Sequence, residues 1–192
     1  MVLVEFLKKA GVTMTEELQA FLLRSLKLVK YEKGDFFCEQ GHVCQQLGFL
    51  VEGQAALRYL TDDNEFTRWV GLQFTFVTAF DSFINEVPNQ YSISFLSDST
   101  MEVFSKTEFD RLSNDFPEMR KFIYKALAHE VVKYQHLTDL LITTKGKERY
   151  LKFQERYPQM VNEVPQKYIA SILGMNPRHL SRIRRQLVKG SK

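Results

Sequence analysis

The feature that most restricts the fold of this chain is the stretch QKYIASILGMNPRHLSRIRR, which spans residues 166–185. Its apolar residues recur at the spacing of two short helices, and Ala170 is small enough to let the second helix approach the first closely. Gly174 stands where the tight turn needs a positive φ, which glycine adopts at little steric cost. Asn176 is a suitable N-cap for the second helix, and Pro177 suits its first position. The pattern predicts a helix-turn-helix.

The second predicted helix has two chemically different faces. At about 100° per residue, Leu180, Ile183 and Leu187 lie together on one side. The opposite side carries Arg178, Ser181, Arg182 and Arg185. An apolar stripe opposite an arginine face is typical of a helix that enters the DNA major groove. The alternative is a solvated basic helix on a small domain, which the full positional match disfavours.

Charge is distributed unevenly along the chain. Residues 145–192 contain 12 Lys and Arg against 3 Asp and Glu, whereas residues 1–144 contain 14 basic and 20 acidic residues. A basic C-terminal part joined to a mildly acidic body indicates that only the C-terminal part meets a polyanion.

The two cysteines, Cys38 and Cys44, have neither a disulfide framework nor a metal-binding spacing, so we expect reduced thiols in the cytoplasm. No apolar run approaches the roughly 20 residues of a membrane span, and the N-terminus lacks the layout of a signal peptide. We therefore expect no membrane partner.

The N-terminal part combines helices with short strands. Helical spacing extends over the first 26 residues, with Thr15 as an N-cap. From residue 27 to about 106, β-rich runs such as KLVKY, LGFLVEG and QYSISFL are separated by Gly and Asp or Asn turns, which indicates an antiparallel sandwich or jelly roll. Leu57 and Tyr59 are expected to point one way and Arg58 the other. A short helix is predicted over residues 79–85.

A long helix without internal Pro or Gly is predicted from Pro117 to about Ile142. Residues spaced alternately by four and three form a heptad seam in it. The seam consists of Ile123, Leu127, Glu130, Tyr134, Leu137 and Leu141. It can pack on the body of the chain or on a second copy, and we expect a homodimer, because one helix-turn-helix covers too few base pairs for selective binding.

Together these patterns predict an α+β chain. Residues 1–116 are expected to form an N-terminal antiparallel jelly roll, 117–142 the dimerisation helix, and 143–192 a winged-helix-like helix-turn-helix domain. The segment TTKG at residues 143–146 is a predicted hinge. It is followed by a helix at about 147–157 and a short connection.

This order of elements resembles the Crp/Fnr superfamily, the cyclic AMP receptor protein and fumarate–nitrate regulator superfamily of bacterial transcription factors. The most specific pieces are LVKYEKGDFFCEQG, with Gly34 and Gly41 at turns of the roll, and VPQKYIASILGMNPRHLSRIR. The sequence pattern ERYL…YP…VPQKYIAS is similar to that of the branch common in Bacteroidetes-type genomes. The resemblance implies a transcription regulator whose partners are double-stranded DNA, a second copy of the chain, RNA polymerase and an unidentified small-molecule effector.

The same resemblance places a degenerate effector pocket at AFDSFINEVPNQYSI. Members that bind cyclic nucleotides carry Gly-Glu there, then a short helix, then Arg-Ser or Arg-Thr. Here Asp81 replaces the Glu and Ser92 matches the Ser or Thr, but Phe80 replaces the Gly and Tyr91 the Arg. A buried cyclic phosphate without that arginine loses a charge-assisted bidentate contact. We therefore expect no cyclic AMP binding, and either a different effector or none.

Other cofactors of the family are also disfavoured. Iron–sulfur sensing needs about four cysteines and the chain has two. Haem ligation is open in principle to His42, or to His129 and His136 on one helix face, but histidines at such positions are far more commonly solvent-facing or at interfaces. No cofactor and no metal site are predicted.

The DNA-contacting residues implied by the resemblance depart from the family pattern of Arg-Glu, three residues, then Arg. Pro177, Arg178 and Arg182 occupy those places, so Arg182 alone is retained. Arginine suits a guanine edge where Glu suits cytosine, so the operator should differ. The expected contacts to bases or phosphates are Lys167, Arg178, His179, Ser181, Arg182 and Arg185.

Two other classes of function were weighed. Jelly rolls also host cupin metal enzymes, which need a His-x-His and a Glu, whereas residues 27–106 contain only His42. Four scattered histidines support no Ser-His-Asp arrangement, so no enzyme is expected. A sensor or interaction module of the same fold, without selective DNA binding, is the alternative that the basic C-terminal part disfavours.

Overall fold

A computed structural model describes residues 1–61 and 64–190, and its N-terminal part contains two four-stranded antiparallel sheets. The strands are β1 (Lys27–Tyr31), β2 (Phe36–Cys38), β3 (Gln46–Glu52), β4 (Ala55–Leu60), β5 (Glu65–Gly71), β6 (Phe76–Val77), β7 (Ser92–Phe95) and β8 (Ser99–Ser105). One sheet has the order β1-β8-β3-β6 and the other β2-β7-β4-β5. Leu50 and Met101 of the first sheet share a buried cluster with Ile93 and Phe95 of the second. The predicted jelly roll is confirmed.

Strand β4 alternates as predicted and is interrupted by a bulge in its partner. Leu57 and Tyr59 belong to the core between the sheets, whereas Arg58 reaches the hydroxyl of Ser94. The register changes between Leu57, opposite Trp69, and Arg58, opposite Thr67. Arg68 is therefore the extra residue of the bulge, which re-aims its side chain.

Two N-terminal helices close one end of the roll, α1 (Val2–Lys9) and α2 (Glu16–Ser25). The Thr15 hydroxyl accepts a hydrogen bond from the Leu18 amide, which confirms the predicted N-cap. The buried carboxylate of Glu102 accepts hydrogen bonds from the amides of Val2 and Leu3, at 2.8 and 2.7 Å. A carboxylate at the N-terminus of α1 is favoured, because it accepts hydrogen bonds from free amides and interacts with the positive end of the helix dipole.

Two further short helices flank the roll, α3 (Phe80–Asn85) and α4 (Lys106–Asp115). The first was predicted, whereas the sequence interpretation left the second unassigned. Helix α4 begins with a capping box, in which Ser105 and Glu108 each bond the backbone of the other. That Ser-x-x-Glu pattern is readable in the sequence, but only Leu112 of this polar helix is fully buried, so its apolar periodicity is weak.

The long helix α5 (Pro117–Thr143) matches its prediction, but its predicted seam faces the chain itself. Leu137 is only 7% exposed and belongs to a buried cluster, against which Leu141 also packs. Ile123 packs on the N-terminal helices, and the Tyr134 ring lies 5.0 Å from the Arg68 guanidinium. These four residues therefore contact the chain's own body, and the expectation that they meet a second subunit stays a prediction. Of the five apolar residues expected there, Leu127 alone is exposed.

Four helices follow α5: α6 (Gly146–Arg156), α7 (Pro158–Glu163), α8 (Gln166–Ile172) and α9 (Pro177–Gly190). Helix α7 replaces the predicted connection, and Pro158 occupies its first position, where a missing amide costs nothing. The described part of 144–190 contains no strand, so the expected winged-helix character is not found there. The helix-turn-helix itself is present as α8 and α9.

The helical part packs directly on the roll, and one buried cluster spans both. Ala56 and Val70 of the sheet lie in the same cluster as Ile169, Leu173 and other residues of α6 to α9. Each large apolar side chain buried in this way contributes about 1.5–3 kcal/mol to stability. The roll thus fixes the position of α8.

Candidate nucleic-acid interface

The turn between α8 and α9 is built by three local features. Gly174 has φ of +60°, which is the left-handed conformation that the sequence pattern requires. The Asn176 side-chain oxygen accepts a hydrogen bond from the Arg178 amide at 2.9 Å, and its carbonyl accepts one from the Leu180 amide at 3.1 Å. Pro177 is the first residue of α9. The predicted cap and turn are both present.

Helix α9 separates an inner apolar face from an outer cationic one. Leu180 and Ile183 are buried against α6 and α8, and Leu187 packs partly against the same cluster. The side chains on the other face reach solvent. Arg178, His179, Arg182 and Arg185 are exposed, and Ser181 is half-buried. The Arg185 guanidinium lies 3.5 Å from the Ser181 hydroxyl, so these two side chains are neighbours on that face.

The sixth predicted contact residue lies on the neighbouring helix. Lys167 is exposed near the start of α8, and its ammonium nitrogen lies 4.6 Å from the centre of the Tyr168 ring. No Asp or Glu follows Glu163 in the chain. The outer surface of α8 and α9 therefore offers hydrogen-bond donors and positive charge without a carboxylate on these helices, which suits phosphate oxygens and guanine edges.

Arg149 of α6 holds the helix-turn-helix against α5, and the sequence analysis did not identify it. Its guanidinium donates hydrogen bonds to the carbonyl oxygens of Leu173 at 2.8 Å, Leu141 at 2.7 Å and Thr144 at 3.1 Å. The buried Thr144 hydroxyl also donates to the Leu140 carbonyl at 2.6 Å. Side-chain contacts thus hold the predicted hinge at Thr144, which bonds Leu140 of α5 and Arg149 of α6. A single arginine carries no sequence signal for this role.

Helix α8 also contacts strand β5 through polar groups. The Thr67 amide donates a hydrogen bond to the Ser171 hydroxyl at 2.7 Å. The ring of Trp69 lies 5.1 Å from that of Tyr157 and 6.4 Å from that of Phe153, both near edge-to-face. These contacts join β5 to α8 through Ser171 and to the end of α6 through Phe153 and Tyr157.

The four residues predicted for the effector pocket do not converge on one space. Phe80 and Asp81 are exposed at the start of α3, where the Asp81 carboxylate accepts a hydrogen bond from the Asn85 amide group at 2.7 Å. Ser92 is buried, and its hydroxyl accepts from the Gln40 amide at 3.0 Å. Tyr91 is buried in the core of the roll.

Arg68 covers the Tyr91 side chain together with two other tyrosines. Its guanidinium carbon lies 5.3 Å from the Tyr91 ring and 5.0 Å from the Tyr134 ring, and it donates to the Tyr59 hydroxyl at 3.3 Å. Burial raises the pKa of Tyr91 to about 12, against a smaller opposite effect of Arg68. Burial also raises the pKa of Tyr134. The space between roll and α5 is therefore occupied by aromatic rings and a cation of the protein itself.

A second cation lies beside this cluster, on α5. The Lys133 ammonium is 4.9 Å from the centres of both the Trp69 and Tyr134 rings, and it contacts Glu130. Burial lowers the pKa of Lys133, while the Glu130 carboxylate opposes this shift. Glu130, the charged member of the predicted heptad seam, thus has a partner within its own chain.

Among residues 1–61 and 64–190, no group of three or more His, Cys, Asp or Glu side chains could hold a metal ion. No helix described there has both the length and the apolar character needed to cross a membrane.

The fold is shared with solved structures of bacterial regulators. FixK2 from Bradyrhizobium japonicum has a TM-score of 0.75 and 13% identity, with 86% of each chain covered. A CooA mutant from Carboxydothermus hydrogenoformans has a TM-score of 0.71 and 16% identity, covering 91% of this chain and 81% of that one. A protein assigned to the Crp/Fnr family of transcriptional regulators, from Eubacterium rectale, has a TM-score of 0.69 and 14% identity, covering 92% and 85%. No protein-family model and no curated protein matches the sequence. The resemblance to Crp/Fnr proteins is confirmed at the level of the fold.

Proposed function

We propose that this chain is a homodimeric transcription regulator, with no enzymatic activity, that binds a palindromic DNA operator through α9. The observation that carries the proposal is the exposed cationic face of α9 opposite its buried apolar face. The fold shared with bacterial transcription regulators supports it. A solvated surface helix would need no capped turn and no second helix packed behind it.

The contacts divide into two kinds. Arg178 and Arg182 project from the first two turns of α9, the part of a recognition helix that reaches base edges, and each can donate two hydrogen bonds to a guanine. Lys167 and Arg185 lie at the margins and suit phosphate oxygens, which fix the position of the protein on DNA without reading sequence. His179 and Ser181 complete the proposed surface.

The dimer would form through a face of α5 different from the predicted one. Tyr124, Val131 and Ile142 are apolar residues that are 74%, 66% and 74% exposed. They belong to a second seam with steps of four and three residues along the helix. That seam is Tyr124, Ala128, Val131, Gln135, Thr138 and Ile142. Exposed apolar residues at heptad spacing fit the same helix of a second copy, related by a two-fold axis.

Two recognition helices related by that axis would enter successive major grooves about 34 Å apart. An operator with two inverted half-sites follows from this symmetry. The alternative is a sensor or interaction module that binds DNA without selectivity, since a basic surface by itself supplies non-specific affinity.

The roll would act as a sensor with a degenerate pocket. The tyrosine cluster around Arg68 occupies the region between roll and α5, and no arginine is present where the family holds a cyclic phosphate. An effector other than a cyclic nucleotide would act by shifting the position of α8 on β5, through the Thr67–Ser171 contact. Arg149 would carry that shift to α5.

The experiment that tests the proposal is selection from a library of random DNA duplexes with the purified full chain, followed by sequencing. We expect enrichment of an inverted repeat whose half-site centres are about 10 base pairs apart, or a multiple of this. Binding that survives competitor DNA without enrichment of any sequence would support the non-selective module instead. Binding of a single half-site by a monomer would contradict the proposed dimer.

A further inference from the structure

Two cysteine side chains line one groove of the roll, in a region that the DNA-binding proposal does not use. Cys38 ends strand β2 and Cys44 precedes strand β3, with five residues between them. The side chains are 7% and 4% exposed, and both are free thiols. Both line a surface groove of about 320 Å³, together with Glu39 and His42. At roughly 30 Å³ for each water molecule, the groove admits small oxidants.

The two thiols lie close enough for each to be the largest influence on the pKa of the other. Both belong to the same buried cluster of the roll. The Thr78 hydroxyl oxygen lies 3.6 Å from the Cys44 sulfur. Hydrogen bonding to the Ala79 backbone and to Thr78 lowers the pKa of Cys44. Such donors favour a thiolate at Cys44 because they stabilise its negative charge.

The pKa values of the two thiols move in opposite directions. The hydrogen bond from Cys38 is the largest cause that lowers the pKa of Cys44, to about 6, and burial opposes it. The pKa of Cys38 is raised, most strongly by its interaction with the Cys44 side chain and less strongly by burial. Cys44 is therefore the more acidic thiol of the two.

We propose that Cys38 and Cys44 form a peroxide-reactive dithiol that closes into an intrachain disulfide, with Cys44 as the attacking sulfur and Cys38 as the resolving one. The proposal stands on the groove that both cysteines line and on their place in one buried cluster, and it is independent of DNA binding.

The chemistry balances with hydrogen peroxide as oxidant. The Cys44 thiolate attacks one peroxide oxygen, so a sulfur–oxygen bond forms and the oxygen–oxygen bond breaks. The hydroxide that leaves takes a proton from solvent and becomes water. The Cys38 sulfur then attacks the Cys44 sulfur of the sulfenic acid, and the hydroxyl leaves as water with the Cys38 proton. In sum, two thiols lose two electrons and peroxide is reduced to two waters.

Disulfide formation would alter the segment from helix α3 to Tyr91, which is hydrogen-bonded to both cysteines. The Asn89 amide group donates to the Cys38 sulfur at 3.3 Å, and the Asn89 backbone pairs with His42 and Gly41 at 2.8 and 2.7 Å. The Ser82 hydroxyl accepts from the Cys44 amide at 2.8 Å. Hydrogen bonds thus connect Ser82 of α3 to Cys44 and Asn89 to Cys38. Oxidation of the two cysteines would therefore change the structure of α3 and of the residues before Tyr91.

The test is treatment of the reduced full chain with equimolar hydrogen peroxide, quenching, denaturation and alkylation with iodoacetamide, followed by mass spectrometry. We expect a monomeric chain that has lost two hydrogens and carries no alkyl group, restored by dithiothreitol. Two alkylated cysteines after peroxide treatment would overturn the proposal. A disulfide that joins two chains would overturn it as well.

Two single variants assign the roles of the sulfurs. Cys38→Ser should stop at the Cys44 sulfenic acid, which dimedone traps, whereas Cys44→Ser should react with peroxide more slowly by on the order of tenfold, because its remaining thiol is protonated. Circular dichroism checks that both variants are folded. Should either variant fail to fold, the rate of iodoacetamide labelling in the wild-type chain decides, since peptide mapping must then find Cys44 modified before Cys38. Faster modification of Cys38 would reverse the proposed roles.

Discussion

The Arg149 guanidinium donates a hydrogen bond to the carbonyl oxygen of Leu173 at 2.8 Å, and so joins α6 to the residue that ends α8. The same group donates to Leu141 near the end of α5 and to Thr144 in the connecting segment. Carbonyl groups at helix C-termini have no partner within the helix and carry partial negative charge, which a guanidinium satisfies. Arg149 therefore links the end of the long helix α5 to the end of α8.

We expect Arg149→Met to lower the free energy of unfolding by about 2–3 kcal/mol, because charge-assisted hydrogen bonds are lost and carbonyl groups are left unsatisfied. Urea denaturation followed by circular dichroism measures the change. The matched control is Lys152→Met on the same helix, whose ion pair with Glu148 is exposed and contributes under about 1 kcal/mol. Equal effects of the two substitutions would show that Arg149 does not hold the helices together.

The double variant Arg178→Ala, Arg182→Ala should abolish sequence-selective DNA binding while leaving the chain folded. Both side chains are exposed and neither packs in the core, so the loss would be of donors to bases. Fluorescence anisotropy with the selected operator and with a scrambled duplex measures selectivity. The charge-matched control is Lys30→Ala, Arg111→Ala, two exposed residues of the N-terminal part. Selective binding that survives the first pair would move the recognition surface elsewhere.

Val131→Glu should convert the proposed dimer into a monomer, because it places a carboxylate opposite its own copy in the middle of the exposed seam of α5. Sedimentation equilibrium measures the mass. Leu23→Glu is the control, since Leu23 is also an exposed apolar residue, 52% accessible, but lies on α2. A dimer that persists in the Val131 variant would contradict the proposed seam.

Alkaline pH should destabilise the chain through Tyr91. Its pKa is about 12 in the folded chain, above roughly 10 for an unfolded tyrosine. A raised pKa contributes stability that is fully present below pH 10 and is lost as the pH rises towards 12. The contribution is about 3 kcal/mol, because each of the two pKa units corresponds to about 1.36 kcal/mol. Urea denaturation at pH 9 and pH 11 should show a smaller pH dependence for Tyr91→Phe. The control is Tyr124→Phe at an exposed position.

Cyclic AMP should not bind the full chain. The expected result of isothermal titration calorimetry is no saturable heat, because the cyclic phosphate would find Tyr91 in place of an arginine and the cluster of Arg68 and tyrosines in its path. A dissociation constant in the micromolar range, which corresponds to about −8 kcal/mol, would contradict the degenerate pocket.

Local patterns in the sequence were sufficient for much of the fold. The helix-turn-helix follows from Gly174, Asn176 and the spacing of Leu180 and Ile183, because turn and cap chemistry act within a few residues. The jelly roll follows from repeated short strands. Helix α4 was missed although Ser105 and its capping partner are readable, because the apolar spacing of that helix is weak.

The two seams of α5 show that heptad spacing does not determine what covers an apolar face. Two sets of residues with heptad spacing exist on this helix, one through Leu137 and one through Val131, about 100° apart. Apolar spacing identifies a face that is buried, but it does not say whether the chain's own body or a second copy covers it. The more apolar set was expected to meet a partner, and the structure places it on the roll and on α6.

The sequence by itself determined the order of the jelly roll, the long helix and the helix-turn-helix, and the identity of the outer face of α9, since each depends on residues close together in the chain. Only the tertiary structure decided which face of α5 is free, that Ser171 of α8 meets Thr67 of β5, that Arg149 reaches Leu173, and that Arg68 covers Tyr91. These contacts join residues 23 to 104 positions apart. Their partners are chosen by how whole sheets and helices pack, and no local spacing records that choice.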